Sequence, residues 1–285
     1  MLSYFQAIIF GAIQGITELF PVSSLGHSVI LPRLLGWNIN QKDPFFLTFL
    51  VATHAATAVV LFLFFRKDWN RIIIGIIRSL KTRTIKESDS DAKLGWLLII
   101  ATVPAGVLGL LFEDSLKTLF ATPQLVAGVL ILNGLMLYGA EILRRNKKEV
   151  HEEGSDKRIA KLTWIKAIKV GLLQCIALIP GFSRTGATIT GGLLIGLPHE
   201  DAARFSFLLA TPIIGAAAFL KLPELLTQTG SQNISFTLVG TLSSAFFAYL
   251  SVRFLTKYFE KKKLTPFAIY CITVGGVVSL LFFLS

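Results

Sequence analysis

Charged residues and cysteines are scarce in this chain. Only 16% of its 285 residues are charged, against roughly a quarter in ordinary soluble domains. Hydrophobic residues make up 53%, and the mean hydropathy is +0.66. Cys175 and Cys271 stand singly in apolar stretches, which argues against a cysteine metal site and predicts two small buried hydrophobic residues. The composition excludes a soluble domain and indicates an integral membrane protein.

The N-terminal segment also lacks the pattern of a cleavable signal peptide. The first 20 residues have no basic start and no small-residue cleavage site, so we expect no signal peptide.

Acidic residues are the scarcer charged type. The chain has 17 Asp and Glu against 28 Lys and Arg, for a net charge of +11. The basic excess lies in residues 66–93, 144–169 and 253–263, each between apolar segments. This placement matches the positive-inside bias of cytoplasmic loops and argues against nucleic acid as a partner. We expect the lipid bilayer as the environment, the three basic loops in the cytoplasm and both termini outside.

Six uninterrupted apolar runs come close to the roughly 20 residues that cross a bilayer as a helix. They cover residues 45–65, 94–112, 120–143, 202–222, 234–255 and Thr265–Leu284. A shorter run at 70–80 is predicted to lie along the membrane interface. Glu200, Asp201 and Arg204 fall near the start of a span, where we expect a solvated helix end.

Two further apolar segments, residues 3–36 and 163–196, are broken in the middle by proline and glycine. Neither half of either segment is long enough to span, so we predict a re-entrant helical hairpin for each. The segments repeat one another at a spacing of 160 residues. Gly11, Gln14, Ser23 and Gly26 recur as Gly171, Gln174, Ser183 and Gly186.

The loop charges predict how the two hairpins are oriented. With all three basic loops on one side, the hairpin at 163–196 must begin and end on that side. Each repeat, 1–160 and 161–285, is then one hairpin plus three spans, so the second repeat is inserted upside down. The predicted fold is an all-α integral membrane protein, a single domain over 1–285 built as an inverted-topology repeat. Paired breaks in such halves indicate a binding site near the midplane, where non-helical backbone must enclose a polar pocket.

The first break carries acid and base side chains. Gln14 and Glu18 are four residues apart and share a helix face. An ionisable residue at this depth indicates a functional site, although a neutral, hydrogen-bonded carboxylic acid is the alternative. Ser23 and Ser24 are expected to cap the returning helix, and His27 follows one turn later. For the serines capping alone is the alternative to catalysis, and for His27 it is a satisfied interior histidine.

The second break carries a cation. Ser183 is expected to cap the returning helix, and Arg184 lies on its first turn, where the helix dipole disfavours positive charge. A bound anion would offset that cost, since helix N-termini and a guanidinium together make a phosphate site. An Arg184 paired only with Glu18 is the alternative. His54, inside a span, is interpreted as either a pocket residue or a packed one.

The two breaks resemble the signature motifs of the bacterial undecaprenyl-diphosphate phosphatases, the bacitracin-resistance family. The motifs are Gln14-Gly-Ile-Thr-Glu18-Leu-Phe-Pro-Val-Ser-Ser-Leu-Gly-His27 and Pro180-Gly-Phe-Ser-Arg-Thr-Gly-Ala-Thr188. Many family members have Glu at the position of Gln14 and Ser at that of Thr185. The resemblance covers essentially the whole chain. It implies an enzyme of the bacterial inner membrane that hydrolyses undecaprenyl diphosphate to undecaprenyl phosphate and inorganic phosphate, recycling the carrier for cell-wall synthesis.

The resemblance also implies roles for single residues. Glu18, Ser24, His27 and Arg184 would be catalytic, with Glu18 ligating a divalent cation, Mg²⁺ or Ca²⁺. The nucleophile stays open between His27, Ser24 and a metal-activated water, and His27 is otherwise the general base. The diphosphate-binding set would be Gln14, Ser23, Ser183, Arg184, Thr185 and Thr188, with His54 in the pocket.

Other functions make different demands on the sequence. Inverted repeats with broken helices are also the architecture of transporters, so a transporter or flippase of a polyprenyl phosphate or another anion is the main alternative. The phosphatidic-acid-phosphatase type of enzyme needs a histidine shortly after the arginine, and residues 185–197 contain none. A scaffold would leave Glu18, His27 and Arg184 without a purpose. The oligomeric state stays open, a homodimer included.

Overall fold

The computed structural model describes residues 2–41, 43–112, 122–144, 154–228 and 231–284, and only the backbone at 222–228 and 231–232. Within these ranges every regular element is a helix, which confirms the predicted all-α class. In chain order the helices are α1 (Tyr4–Thr17), α2 (Ser24–Leu34), α3 (Pro44–Phe64), α4 (Arg66–Thr82), α5 (Ser90–Leu111), α6 (Pro123–Arg144), α7 (Ser155–Ala160), α8 (Trp164–Gln174), α9 (Arg184–Leu194), α10 (His199–Gln228), α11 (Ser231–Phe259) and α12 (Thr265–Leu284).

Six of the described helices are long and apolar enough to cross a membrane: α3, α5, α6, α10, α11 and α12. They coincide with the six runs predicted from hydropathy, although residues 120 and 121 of the third run lie outside the described residues. Many large apolar side chains on these helices are exposed, among them Leu242, Phe254 and Leu280. The chain is therefore a multi-pass membrane protein.

Both interrupted segments form pairs of short helices. The first is α1 followed by α2, and the second is α8 followed by a 3₁₀ turn at Cys175–Leu178 and then α9. None of the four helices exceeds 14 residues, or about 21 Å at 1.5 Å per residue. Each is too short to cross the roughly 30 Å hydrocarbon core alone, as the breaks in the sequence indicate.

Glycines repeated in the two segments allow close helix packing. Gly11 of α1 lies against the backbone of Gly240 on α11, and Gly171 of α8 lies against the backbone of Ala101 on α5. A Cβ atom at either glycine would overlap those backbone atoms. The glycines that recur in the two segments therefore make the same kind of packing contact, and only glycine fits there.

The remaining contacts pair equivalent helices of the two repeats. The first full-length helix of each repeat, α3 and α10, packs on its counterpart, and so does the last of each, α6 and α12. Helix α11 also packs on α3, as α5 does on α10. This reciprocal packing is expected when two equivalent repeats associate. The inverted insertion of the second repeat stays a prediction.

The start of α10 is not the solvated helix end expected from the sequence. Asp201 is fully buried and accepts hydrogen bonds from Arg158 Nε at 2.6 Å and from the Ser155 hydroxyl. Arg204 pairs with Asp156, with its Nε 2.8 Å from the carboxylate. The expectation was wrong because the short helix α7 lies against α10 and brings its own charges to that surface.

Helix α4 is the amphipathic segment predicted at 70–80. Ile72, Gly75 and Ser79 are buried, and Gly75 lies against the backbone of Ala92 on α5. Its opposite face exposes Ile73 and Ile77. Its place along a membrane interface stays a prediction.

Candidate active site

Glu18 begins the break of the first hairpin. It directly follows α1, and its backbone N–H still donates to Gln14 O. The chain then turns until Ser23, which has a positive φ of 70°. This backbone is rare for a residue with a side chain, and such strain is concentrated at functional sites. The Ser23 hydroxyl accepts from the backbone N–H of Gly26, which confirms the predicted cap of α2.

The second break has the same design. Gly181 has φ +106°, a conformation that favours glycine, and it lies against Val126 and Val129 of α6. The Ser183 hydroxyl then accepts from the Gly186 N–H, which confirms the predicted cap of α9. Arg184 is therefore the first residue of a helix, as the sequence predicts.

Glu18 and Arg184 form the centre of the site. One carboxylate oxygen of Glu18 lies 3.0 Å from Arg184 Nη2 and 3.2 Å from Arg184 Nε. Only 6% of the Glu18 side chain and 14% of the Arg184 side chain are exposed. The acid comes from one hairpin and the cation from the other, so the pair exists only when the two repeats are assembled.

The other oxygen of Glu18 lies close to three more side chains. It accepts from the Ser24 hydroxyl at 2.6 Å and from Gln14 Nε2 at 3.1 Å, and it lies 3.3 Å from His54 Nε2. Ser24 thus bonds to Glu18 rather than capping α2, and the capping expectation was wrong for this serine. His54 lies beside Glu18, and its role in a pocket stays a prediction. Together Glu18, Gln14, Ser24, His54 and Arg184 are called the Glu18 cluster below.

The Glu18 cluster contains one acidic and two basic side chains, Glu18, His54 and Arg184. Hydrogen-bond donors surround both Glu18 oxygens, which is the environment of an ionised carboxylate. The Nδ1 of His54 lies 2.8 Å from Leu50 O, and its Nε2 lies 3.3 Å from Glu18. A protonated His54 would donate from both nitrogens, and the cluster would then carry a charge of +1 that attracts an anion.

The predicted diphosphate-binding threonines support the arginine. Thr185 donates to the backbone carbonyl of Glu18 at 2.8 Å and accepts from Arg184 Nη2. The hydroxyls of Thr188 and Ser206 lie 2.5 Å apart, and the Ser206 carbonyl accepts from Arg184 Nη1. Ser206 was not among the site residues predicted from the sequence.

Asn133 joins the two breaks and was missed from the sequence. It is fully buried in α6, donates from Nδ2 to Pro21 O at 3.0 Å, and accepts at Oδ1 from the Ser183 N–H at 3.0 Å. Through these two bonds Asn133 fixes the positions of both hairpin tips relative to α6. An amide in the middle of an apolar span is the signal that could have revealed it.

His27 lies outside the Glu18 cluster. Among the described residues no hydrogen bond joins it to Glu18 or Arg184. Its Nδ1 lies 2.7 Å from Ser23 O and its Nε2 lies 2.8 Å from the hydroxyl of Tyr270 on α12. Tyr270, which is 243 residues away, could not be identified as a partner of His27 from sequence patterns.

The donor set of the cluster fits a hard cation only together with an anionic ligand. The described residues contain no group of three or more His, Cys, Asp and Glu arranged to hold a metal ion. Glu18 supplies the single carboxylate, and the adjacent Gln14 Oε1 is buried and makes no hydrogen bond in the described structure. Magnesium commonly binds through one or two carboxylates plus substrate phosphates, and two oxygens beside the Arg184 guanidinium match that pattern.

When the chain is compared with known proteins, it matches one protein family. Residues 7–277 match the family described as bacitracin resistance protein BacA. A protein of Mycolicibacterium paratuberculosis named undecaprenyl-diphosphatase is 45% identical over 294 residues, covering 96% of each chain. A Chromobacterium violaceum protein named undecaprenyl-diphosphatase 2 is 45% identical over 281 residues, covering 97% of this chain and 98% of that one.

Proposed function

This chain belongs to the bacitracin resistance protein BacA family, and we propose that the Glu18 cluster is where it hydrolyses undecaprenyl diphosphate. The chain is a membrane hydrolase, a polyprenyl diphosphate phosphatase, in line with the names of relatives that match almost its full length. Its products are undecaprenyl phosphate, the lipid carrier of cell-wall synthesis, and inorganic phosphate. The observation that carries the location is the buried Glu18–Arg184 pair between the two hairpins.

Arg184 and the starts of α2 and α9 bind the diphosphate. The serine caps satisfy one N–H of each helix, and the first-turn N–H groups that lack an intrahelical partner can donate to phosphate oxygens. The guanidinium matches a phosphate in a bidentate way. In the structure Glu18 pairs with this guanidinium. The diphosphate replaces Glu18 at some of the guanidinium N–H groups, and a charge of +1 on the cluster would favour that exchange.

Phosphate release from the diphosphate depends mainly on positioning and on neutralising charge. Two routes to the terminal phosphorus fit the residues. In one, His27 acts through Nε2, as the base for a water or as the nucleophile. In the other, the Ser24 oxygen attacks the terminal phosphorus and its proton passes to Glu18, which already accepts the Ser24 hydrogen bond at 2.6 Å. The bond from that phosphorus to the bridging oxygen breaks, undecaprenyl phosphate leaves, and water then releases the phosphate from Ser24. Isolation of a phosphoenzyme by rapid quench and peptide mapping separates phosphohistidine, phosphoserine and a water route.

A divalent cation would be held by Glu18 and Gln14 Oε1 beside the diphosphate. Bound there, Mg²⁺ or Ca²⁺ supplies further neutralisation of phosphate charge. The chain's own part is to present those two oxygens next to Arg184 and to keep the site largely enclosed.

We also propose that the protein lies in the bacterial inner membrane with the basic loops in the cytoplasm and both termini outside. Contacts at one end of the bundle support the common side. Arg71 of the first basic stretch pairs with Asp156 of the second at 2.8 Å. Glu141, near the end of α6, accepts from the Leu264 N–H directly after the third. The three stretches therefore meet at one end, as cytoplasmic loops would.

The test is release of inorganic phosphate from undecaprenyl diphosphate by the purified protein in detergent, where no second compartment exists. We expect release, and we expect a chelator to stop it and added Mg²⁺ or Ca²⁺ to restore it. Absence of phosphate release from folded protein would contradict the enzyme and favour the transporter alternative. Full activity in excess chelator would contradict only the proposed role of the divalent cation.

A further inference from the structure

We infer that Tyr270 is a positioning residue that holds the reactive nitrogen of His27 through a hydrogen bond. The inference rests on the proposed function, since His27 receives its task from that proposal. Tyr270 lies on α12, the last helix, whereas His27 lies on the returning helix of the first hairpin.

The contacts of His27 determine its tautomer. Its Nδ1 lies 2.7 Å from Ser23 O, and a backbone carbonyl can only accept, so Nδ1 carries the ring hydrogen. In a neutral imidazole the other nitrogen, Nε2, is then the acceptor. The Tyr270 hydroxyl, 2.8 Å from Nε2, is therefore the donor of that second bond.

The two rings also restrain each other. Their planes are within 14° of parallel, with the ring centroids 5.8 Å apart. A side chain with hydrogen bonds at both nitrogens and an aromatic neighbour has one orientation rather than several rotamers. This orientation is what a general base or nucleophile requires before the substrate arrives.

The hydroxyl can serve His27 before and after proton transfer. In the base route, the oxygen of a water attacks phosphorus, its O–H proton goes to Nε2, and the bond from phosphorus to the leaving undecaprenyl phosphate breaks. The ring then donates from both nitrogens, and the Tyr270 oxygen, which is donor and acceptor by nature, can rotate its hydrogen away and accept. In the nucleophile route the same hydrogen bond orients Nε2 until Nε2 bonds to phosphorus in place of the hydroxyl. Undecaprenyl phosphate leaves as its bond to phosphorus breaks, and water then hydrolyses the phosphohistidine. Phenylalanine can do none of this.

The exposure of Tyr270 permits such a change of partner. The residue is 41% exposed, and its phenol has no other hydrogen-bond partner among the described residues. The bond to His27 can therefore open without breaking a buried network, unlike the bonds within the Glu18 cluster.

The functional test compares Tyr270→Phe with Tyr249→Phe. Tyr249 is the matched control, because it is a similarly exposed tyrosine on α11 whose ring packs on Phe64. We expect Tyr270→Phe to lower kcat about fivefold to tenfold, the effect of one lost hydrogen bond, with KM unchanged, and Tyr249→Phe to match the parent protein. In a His27→Asn background Tyr270→Phe should cause no further loss of activity.

A spectroscopic test reports on the His27 ring without measuring activity. The chain has four histidines, so nitrogen-15 labelling gives few signals, and His27→Asn assigns those of His27. We expect protonated Nδ1 and unprotonated Nε2 in the parent protein, and a shift of the Nε2 signal in Tyr270→Phe only.

The two proposals fail in different ways. An active His27→Asn variant would contradict the role of His27 in the proposed function. An inactive His27→Asn variant together with a Tyr270→Phe variant of normal kcat, or a His27 ring protonated at Nε2 instead of Nδ1, would overturn the inference about Tyr270 alone.

Discussion

At the scale of single residues, the site depends on competition for one carboxylate. Glu18 accepts from Ser24, Gln14 and Arg184 and lies 3.3 Å from His54, so four side chains share its two oxygens. Removing a partner of a buried charge is costly because the remaining partners stay buried without compensation. The individual contacts should therefore have unequal effects on activity.

We predict that Glu18→Gln lowers phosphate release by a factor of about 100 or more, the usual scale for losing a preorganised electrostatic group. Gln14→Ala should cost only about tenfold, since it removes a neutral hydrogen-bond partner. Initial rates in detergent give both values. Gln174→Ala is the matched control, because Gln174 is the equally buried repeat partner that bonds to Ala101 instead. Equal losses in Gln14→Ala and Gln174→Ala would argue for damage to packing.

His54→Gln should raise KM for undecaprenyl diphosphate about tenfold or more and change kcat less. The substitution removes one of the two basic side chains of the cluster while keeping a donor within reach of Glu18, so it weakens anion binding, where charge-assisted contacts are the strong ones. Steady-state kinetics over a range of substrate concentrations separate the two constants. A fall in kcat with unchanged KM would instead place His54 in the chemical step.

At the scale of elements, the hairpins rely on backbone contacts that only glycine permits. Gly171 of α8 touches the backbone of Ala101 on α5, and Gly11 makes the equivalent contact on α11. A side chain here would push the whole hairpin away from its supporting helix, and with it the tip that carries Arg184.

Gly171→Ala is accordingly predicted to destabilise the protein, by several degrees in the thermal unfolding midpoint in detergent. Gly128→Ala is the control, since a Cβ atom on this α6 glycine meets nothing within 4 Å and alanine favours a helix by about 0.8–1 kcal/mol over glycine. It should leave the midpoint unchanged or raise it. If both variants have the unfolding midpoint of the parent protein, the close contact of α8 with α5 does not require glycine at position 171.

The elements could be predicted from the sequence because they depend on local signals. Apolar run lengths located the six spans, and Pro and Gly breaks located both hairpins, with Ser23 and Ser183 as caps. The contacts that were missed join distant parts of the chain. Asn133 reaches Pro21 over 112 residues and His27 reaches Tyr270 over 243, and no periodicity reports such pairs. Asp201 was placed in solvent because α7, which covers it, comes from another part of the chain.

At the scale of the whole molecule, the architecture brings two repeats together around one polar site. The paired breaks predicted one binding site near the midplane. In the structure Gly26 of one tip faces Gly181 of the other, with 3.4 Å between a Cβ atom added at Gly26 and the Gly181 Cα. The opposite insertion of the repeats, the side of the basic loops and a homodimer remain predictions.

Labelling of single cysteines in whole cells tests the insertion. In a background with Cys175 and Cys271 replaced, we predict that a cysteine at Lys86 or Lys262, in two of the basic loops, is blocked only by a membrane-permeant reagent. A cysteine at Asn38, between the first hairpin and α3, should react with an impermeant one. The same accessibility for all three positions would contradict the proposed topology.

The central claim is that Glu18 from one repeat and Arg184 from the other form the site that releases phosphate. The most direct measurement is the rate of phosphate release from undecaprenyl diphosphate by folded Arg184→Ala in detergent, beside the parent protein. We expect a loss of about 1,000-fold or more, the scale of a lost arginine at a transferring phosphoryl group. A rate within a few fold of the parent protein would contradict it.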